Sequence, residues 1–318
     1  MLRYILRRIL LMIPIMMGIS FVVLLFIDIT PGDPARIIAG SQATVEEYAQ
    51  IRLDLGIDDP LPVRYFRFLA GAVRGDFGKS FMSKRAVWDD IMTRFKYTLR
   101  LVSVSLCFSI FIGIPLGIFA ATHQYTWKDN AAIVTSLFCV SMPNFWFALL
   151  IVQLFAVKLR ILPPAGVDTW KGWIMPAISL ALGPTAVIAR QMRSNMLEVI
   201  RQDYIITARA KGQAEGIVLY RHALKNALIP VVMVIGSIFG LSLGGAMISE
   251  VIYSVPGLGS YTLTGLSTRD YPVIQGSVFF LSIVFSVVML CVDILFAFID
   301  PRIRSQYSRS RKRAKEAG

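Results

Sequence analysis

Along the chain, six stretches contain no Asp, Glu, Lys, Arg or His: residues 9–27, 101–121, 131–157, 173–189, 227–249 and 273–292. They are 17 to 27 residues long, and about 20 apolar residues carry a helix across the hydrocarbon core of a bilayer. The pattern predicts an all-α integral membrane protein with six transmembrane helices. Composition agrees: 55% of the 318 residues are hydrophobic, only 17% are charged, and the mean hydropathy is +0.62. A soluble chain carries about 25% charged residues. Cys107, Cys139 and Cys291 all fall inside the apolar stretches, where they read as small packing residues rather than a disulfide framework.

Charge placement gives the orientation. Arg3, Arg7 and Arg8 precede the first span, which puts the N-terminus in the cytoplasm. Alternation then makes 28–100, 158–172 and 250–272 external, and 122–130, 190–226 and 293–318 internal. With residues 1–8 included, the internal pieces together hold 18 Lys and Arg, whereas the two short external loops hold four. Both termini are inside, and the net charge of +13 reports topology rather than nucleic-acid binding. The first apolar run has 19 residues, longer than the roughly 7–15 of a signal-peptide core, and no A-x-A site follows it. It reads as a retained span. After Asp300-Pro301, the basic tail 300–318 is expected to be disordered and drawn to anionic lipid.

The long external loop holds ten basic and ten acidic residues over 28–97, interspersed with Leu, Tyr, Phe and Trp. Short packed helices capping the outer mouth are expected there. Within it, "GAVRGDFGKS" (71–80) imitates a phosphate-binding loop. That loop requires a glycine five positions before Gly78, where Val73 stands instead, and the segment lies on the wrong side of the membrane for ATP. No HExxH or CxxC motif exists, so a zinc site is not expected. Serines within spans (Ser103, Ser105, Ser237, Ser242) have no neighbouring base. These absences favour a transporter or channel component over a membrane enzyme, and no cofactor or metal is implied.

Two further features bear on mechanism. Gly113 and Gly117 form one G-x-x-x-G pattern, and Gly236, Gly240 and Gly244 form two overlapping ones. Such spacing lets helix backbones approach closely in lipid, either as static packing or along a translocation path. The internal segment 190–226 is longer than a connector needs to be. In it, Asp203 can cap a helix start, Lys211 complements the end, and Gly212 can take the left-handed stop. The short helix so defined is either a surface element on lipid headgroups or a docking element for a cytoplasmic partner. Tyr204, Thr207 and Ala208 are expected on one low-profile face, with Arg209 and Lys211 free to meet acidic groups on a partner's rim.

Five strings in order carry a family resemblance: "MLRYILRRILLMIPIMMGISFVVLLFIDITPGDPA", "LDLGIDDPLPVRYFRFL" with "GDFGKS", "SMPNFWFALL", "DYIITARAKG" with "HALKNALIPVV", and "EVIYSVPGLGSYTLTGLSTRDYPVIQG". With them the chain resembles permease subunits of bacterial dipeptide/oligopeptide-class ABC importers, nearest the dipeptide and glutathione branch. The general permease motif begins Glu-Ala-Ala, where Ile206-Thr207-Ala208 stand here. Lys225 stands where that motif ends in proline. The resemblance implies a type I importer permease fold, with residues 1–94 as first helix plus external loop, 95–299 as the transmembrane domain, and 300–318 as a tail. It implies a second permease subunit in a heterodimer, two cytoplasmic ATP-binding subunits and an extracytoplasmic solute-binding protein. It also implies that Asp203, Tyr204, Thr207, Ala208, Arg209, Ala210, Lys211 and Gly212 couple the chain to the ATPase. A self-sufficient secondary transporter or channel remains the alternative class, although the spans lack intramembrane charges and repeats. A permease for nickel or opine-like solutes is the alternative within the class.

Overall fold

The computed structural model describes residues 2–30, 32–40 and 43–299; the basic tail lies outside them. Fourteen α-helices are found among the described residues. Helix α1 (Leu2–Ile29) leads to three short external helices, α2 (Pro34–Ala39), α3 (Val45–Leu55) and α4 (Leu61–Val73). The frame follows: α5 (Val87–Thr122), α6 (Trp127–Ser141), α7 (Asn144–Ile151) and α8 (Ile174–Ile200). The cytoplasmic segment forms α9 (Asp203–Ala210) and α10 (Glu215–Ile217), which runs on into α11 (Leu224–Gly245). Two external helices, α12 (Met247–Ile252) and α13 (Leu258–Thr268), precede the last span, α14 (Tyr271–Ile299).

Five of these segments are long and apolar enough to cross a membrane, and α6 with α7 makes a sixth only as a pair bent by 99°. The third apolar stretch is therefore a broken span. Its break falls at Met142-Pro143, where Met142 takes an extended conformation (ψ 124°). Proline's ring disfavours helical geometry in the residue before it, so the 27-residue run could not continue straight. Two spans also outreach their apolar windows. Helix α5 begins at Val87, well before the charge-free run, and continues unbroken across residues 94 and 95; α8 continues through Arg190 and Arg193 to Ile200.

The external loop folds into short helices, as its balanced charge suggests. Asp33 caps α2 by accepting from the Ala35 N–H at 2.8 Å, with Pro34 as the first helical residue. Thr44 and Glu47 form a capping box on α3, and Gly56 ends that helix in the left-handed conformation (φ +60°). Arg52 ties the cap together by pairing with both Asp33 and Asp58. Burial tends to raise the Asp33 carboxyl, but hydrogen bonds from Tyr48, the Ala35 N–H and Arg52 hold it below the usual range. Arg64 anchors α4 to Asp28 at the outer end of α1 (2.5 Å). At the opposite end of α1, Arg8 pairs with Asp293 of α14 at 2.9 Å, so the two ends assigned to the cytoplasm lie side by side.

In lipid there is no hydrophobic force between helices, and close packing must hold them. The frame shows where glycine permits it. A methyl at Gly117 would lie 2.5 Å from the Ala189 carbonyl and 2.6 Å from Met192 Cβ; one at Gly113 would lie 2.9 Å from the Thr185 carbonyl. Helices α5 and α8 thus touch backbone to backbone. Likewise, Gly236 and Gly240 of α11 face Val292 and Phe285 of α14. Of the two readings, Gly244 does not fit close packing: it is exposed, and nothing lies within 4 Å of a methyl placed there. The helix breaks just beyond, at Ala246. Gly117→Val is expected to destabilise the chain in detergent by about 2 kcal/mol or more, read as a lowered thermal midpoint. Gly244→Ala should leave that midpoint unchanged.

Candidate functional site

The cytoplasmic helix α9 is eight residues long, roughly 12 Å at 1.5 Å per residue, and so short a helix does not hold itself in water. Its own inner face holds it. Ile205 is fully buried and Ala208 is 8% exposed, three positions apart and so on one side of the helix. They sit in a cluster with Ile118 of α5, Met192 and Met196 of α8, and Ala227 and Val231 of α11. Tyr204 accepts a hydrogen bond from the Asn226 side chain at 2.7 Å, a second tie to α11.

The stop is as the sequence suggests. Gly212 has φ +77°, and its N–H bonds back to the Arg209 carbonyl at 2.9 Å. The start shifts by one residue. Gln202 occupies the cap position without a side-chain bond, and Asp203 is the first helical residue, where its charge still favours the helix N-terminus. Two other expectations are corrected. Ala208 does not share an outward face with Tyr204 and Thr207, because it points into the frame. Arg209 is not free for a partner: its guanidinium makes a bidentate pair with Glu215 (2.6 and 3.1 Å). The outward surface consists of Ile206, Thr207, Ala210 and Lys211, with Ile217 and Tyr220 beside them, all exposed. It is largely apolar, and Lys211 at its end has no ion-pair partner among the described residues.

The sequence reading missed the ion pair that extends this surface to the neighbouring loop. Asp129, at the start of α6 and 2% exposed, receives two bonds from Arg193 of α8 at 2.5 and 2.6 Å. Arg201 reaches Gln124 at 3.4 Å. The α5–α6 turn is thereby fixed to the same helix that carries α9. Both partners are ordinary surface-type residues just outside charge-free windows, and only their separation of 64 positions hid them.

A second site lies at the external end. Glu250 of α12 is completely buried. One oxygen accepts from the Thr98 hydroxyl of α5 at 2.5 Å and the other from the Ser260 N–H at 2.8 Å, while Thr98 accepts from the Leu258 N–H at 2.8 Å. The carboxylate therefore caps the N-terminus of α13 and links it to α5. "PGLG" (256–259) makes this possible: a methyl at Gly257 would lie 2.2 Å from Glu250 Cδ, and one at Gly259 would lie 2.7 Å from Met247 Cα. The neighbouring Tyr261 hydroxyl donates to Asp90 at 3.2 Å, and Arg94 stacks 4.6 Å over its ring. The single glutamate at the edge of an apolar window was the available signal.

Burial raises the Glu250 carboxyl above its usual range, with the bonds from Thr98 and the Ser260 and Gly259 N–H groups, and the charge of Arg94, pulling it back. A carboxyl raised by folding contributes stability that is fully present below its unfolded pKa and is lost as pH rises through the folded value. Thermal midpoints measured from about pH 4 upward should therefore slope downward in the wild type and less so in Glu250→Gln. Glu250→Ala leaves three donors facing a hole and should cost about 3 kcal/mol.

Comparison with known proteins fits this arrangement. Residues 1–102 match the family described as "Binding-prot-dependent transport system membrane comp, N-term", and residues 113–305 match "Binding-protein-dependent transport system inner membrane component". The chain is 40% identical over 304 residues to the glutathione transport system permease protein GsiC of Salmonella paratyphi A, covering 96% of this chain and 99% of that one. It has the same identity and coverage with GsiC of Escherichia coli K12. Among solved structures, an inward-facing MetNI methionine ABC transporter superposes with a TM-score of 0.55 at 18% identity, covering 66% of this chain and 96% of that one, a likeness of fold. The chain belongs to the multi-pass inner-membrane permease components of binding-protein-dependent ABC importers, in their dipeptide and glutathione branch.

Proposed function

We propose that this chain is one of two permease subunits, forming a heterodimer, of an ATP-driven importer that carries short peptides, glutathione or dipeptides among them, across the cytoplasmic membrane. Two ATP-binding subunits dock on its cytoplasmic face, and an extracytoplasmic solute-binding protein delivers the substrate. ATP hydrolysis belongs to the docked subunits. The peptide assignment is supported by 40% identity along 96% of the chain to a glutathione permease.

The observation that carries the mechanism is the two-sidedness of α9. Its inner residues, Ile205 and Ala208, are buried among side chains of α5, α8 and α11; its outer residues are exposed and small or flat. A push delivered to the outer face reaches three spans at once as rigid-body motion. Residues 203–212 are the coupling element on this reading, with Ile206, Thr207 and Ala210 in contact with the ATPase and Ala208 and Arg209 acting from behind. Gly113 and Gly117, and Gly236 and Gly240, keep the moving spans in register, while the open side of Gly244 is available to the translocation path or the second permease.

In a background with the three native cysteines replaced, a cysteine at Thr207 should cross-link to the ATPase subunit of the assembled complex, and a cysteine at Ala208 should not. The reverse pattern would reject this orientation of α9. Gly212→Val forces a branched side chain into a left-handed conformation. It should lower substrate uptake at least several-fold while ATP hydrolysis by the complex continues. Equal loss of both would mean the stop matters for assembly alone. Uptake of labelled glutathione that persists when ATP is depleted but the proton gradient is held would instead favour a secondary carrier.

A further inference from the structure

A cavity of about 440 Å³ opens on the external side between α4, the 76–84 turn and the first turn of α14. Nothing in the transport cycle described above uses it. Its size lies within the range of small-ligand pockets. Two of its walls carry cations. Arg64 and Arg67 project from α4, and Lys79 and Lys84 from the facing turn, where Asp76, the one acidic residue of the lining, accepts from the Gly78 N–H at 2.8 Å. Asp28 and Asp59 engage the two arginines, whereas neither lysine has a carboxylate within ion-pair distance among the described residues.

The turn that presents the lysines is firmly built. The Ser80 N–H bonds to the Arg85 carbonyl at 2.9 Å and the Lys84 N–H to the Ser80 carbonyl at 3.0 Å. Lys84 itself is held at φ +59°, a conformation that non-glycine residues rarely adopt without cause. The buried Ser80 hydroxyl donates to Asp270 at 2.5 Å, and the Met82 N–H reaches the same carboxylate at 3.2 Å. Residues 75–84, which begin with the "GDFGKS" string, thus form a clip to the α13–α14 junction that holds two ammonium groups at the cavity rim.

Depth identifies the occupant. The cavity reaches Leu24, five residues inside the outer end of α1, and Gln275, four residues into α14. At 1.5 Å per residue its floor lies roughly 6–8 Å below the outer ends of two spans. With α1 and α14 read as spans, this puts the floor close to the outer interface of the bilayer. Phe68 and Phe77 supply an apolar floor and Tyr271 an amphipathic wall, the side chains suited to that boundary. A soluble anion would find the same cations without needing this floor.

From the cations, the apolar floor and the depth, we propose that this cavity binds the headgroup of an anionic phospholipid of the outer leaflet, its phosphate between Lys79 and Lys84 and the start of its chains against Phe68 and Leu24. Bound there, the lipid would stitch the external cap to α1 and α14.

The test uses the full chain in nanodiscs of equal phosphatidylcholine and phosphatidylglycerol, with retained lipid identified by native mass spectrometry. Phosphatidylglycerol should be enriched over phosphatidylcholine, and the Lys79→Gln/Lys84→Gln double variant should lose that enrichment by roughly tenfold. Lys79→Arg/Lys84→Arg, which keeps the charge, should retain it, as should Lys128→Gln on the cytoplasmic side. Equal retention of the two lipids, retention unaffected by the double Gln variant, or equal loss in Lys128→Gln would overturn the proposal. Displacement of the lipid by millimolar inorganic phosphate would also overturn it, by assigning the cations to a soluble anion.

Discussion

The structure depends on the contact between α5 and α8. Within a membrane, helix backbones satisfy their own hydrogen bonds but gain little from shedding lipid, so close approach must supply the attraction. At Gly117 the two backbones come so near that no side chain fits between them. That contact fixes α8, whose last turns leave the apolar zone and carry Arg193 and Arg201 into the cytoplasm. The rest of that face is hung from it: Asp129 and the α5–α6 turn through Arg193, and α9 through Met192 and Met196.

The two ends of the frame are built by different chemistry. At the cytoplasmic end, a small helix is held by apolar burial of two residues and leaves a plain outer surface. At the external end, a buried glutamate gathers a hydroxyl and backbone N–H groups from α5 and α13. Losing apolar contact weakens a joint gradually, whereas removing one partner of a buried polar cluster breaks it at once. The external joint is therefore the one that loss of a single partner breaks, whereas α9 keeps an exposed outer surface apart from the contacts that hold it.

Much of this was legible in the sequence. Charge-free runs gave the spans, arginine placement gave the sidedness, and Gly212 gave the end of α9. What escaped had specific causes. Met142-Pro143 bends one apolar run into two helices, and composition does not register direction. Ala208 and Thr207 are adjacent in sequence but about 100° apart around the helix, so that one is buried and the other exposed. The spacing of small residues suggested one face, and only the surrounding apolar cluster decides which side is inward. Arg209 looked available because its partner, Glu215, lies beyond the glycine stop. Glu250 sat unnoticed because a lone carboxylate at a span edge looks like any loop residue until Gly257 and Gly259 bring their backbone to it.

If α9 is the coupling element, α9 and the frame move as one body. This is tested most directly by pulsed electron-spin distance measurement in the assembled, cysteine-replaced complex, with labels at Thr207 on α9 and Thr122 at the end of α5. One distance distribution is expected, unchanged between the resting complex and the complex trapped with nucleotide. A shift of several ångströms between those two states would contradict it, because α9 would then move against the helices it is meant to drive.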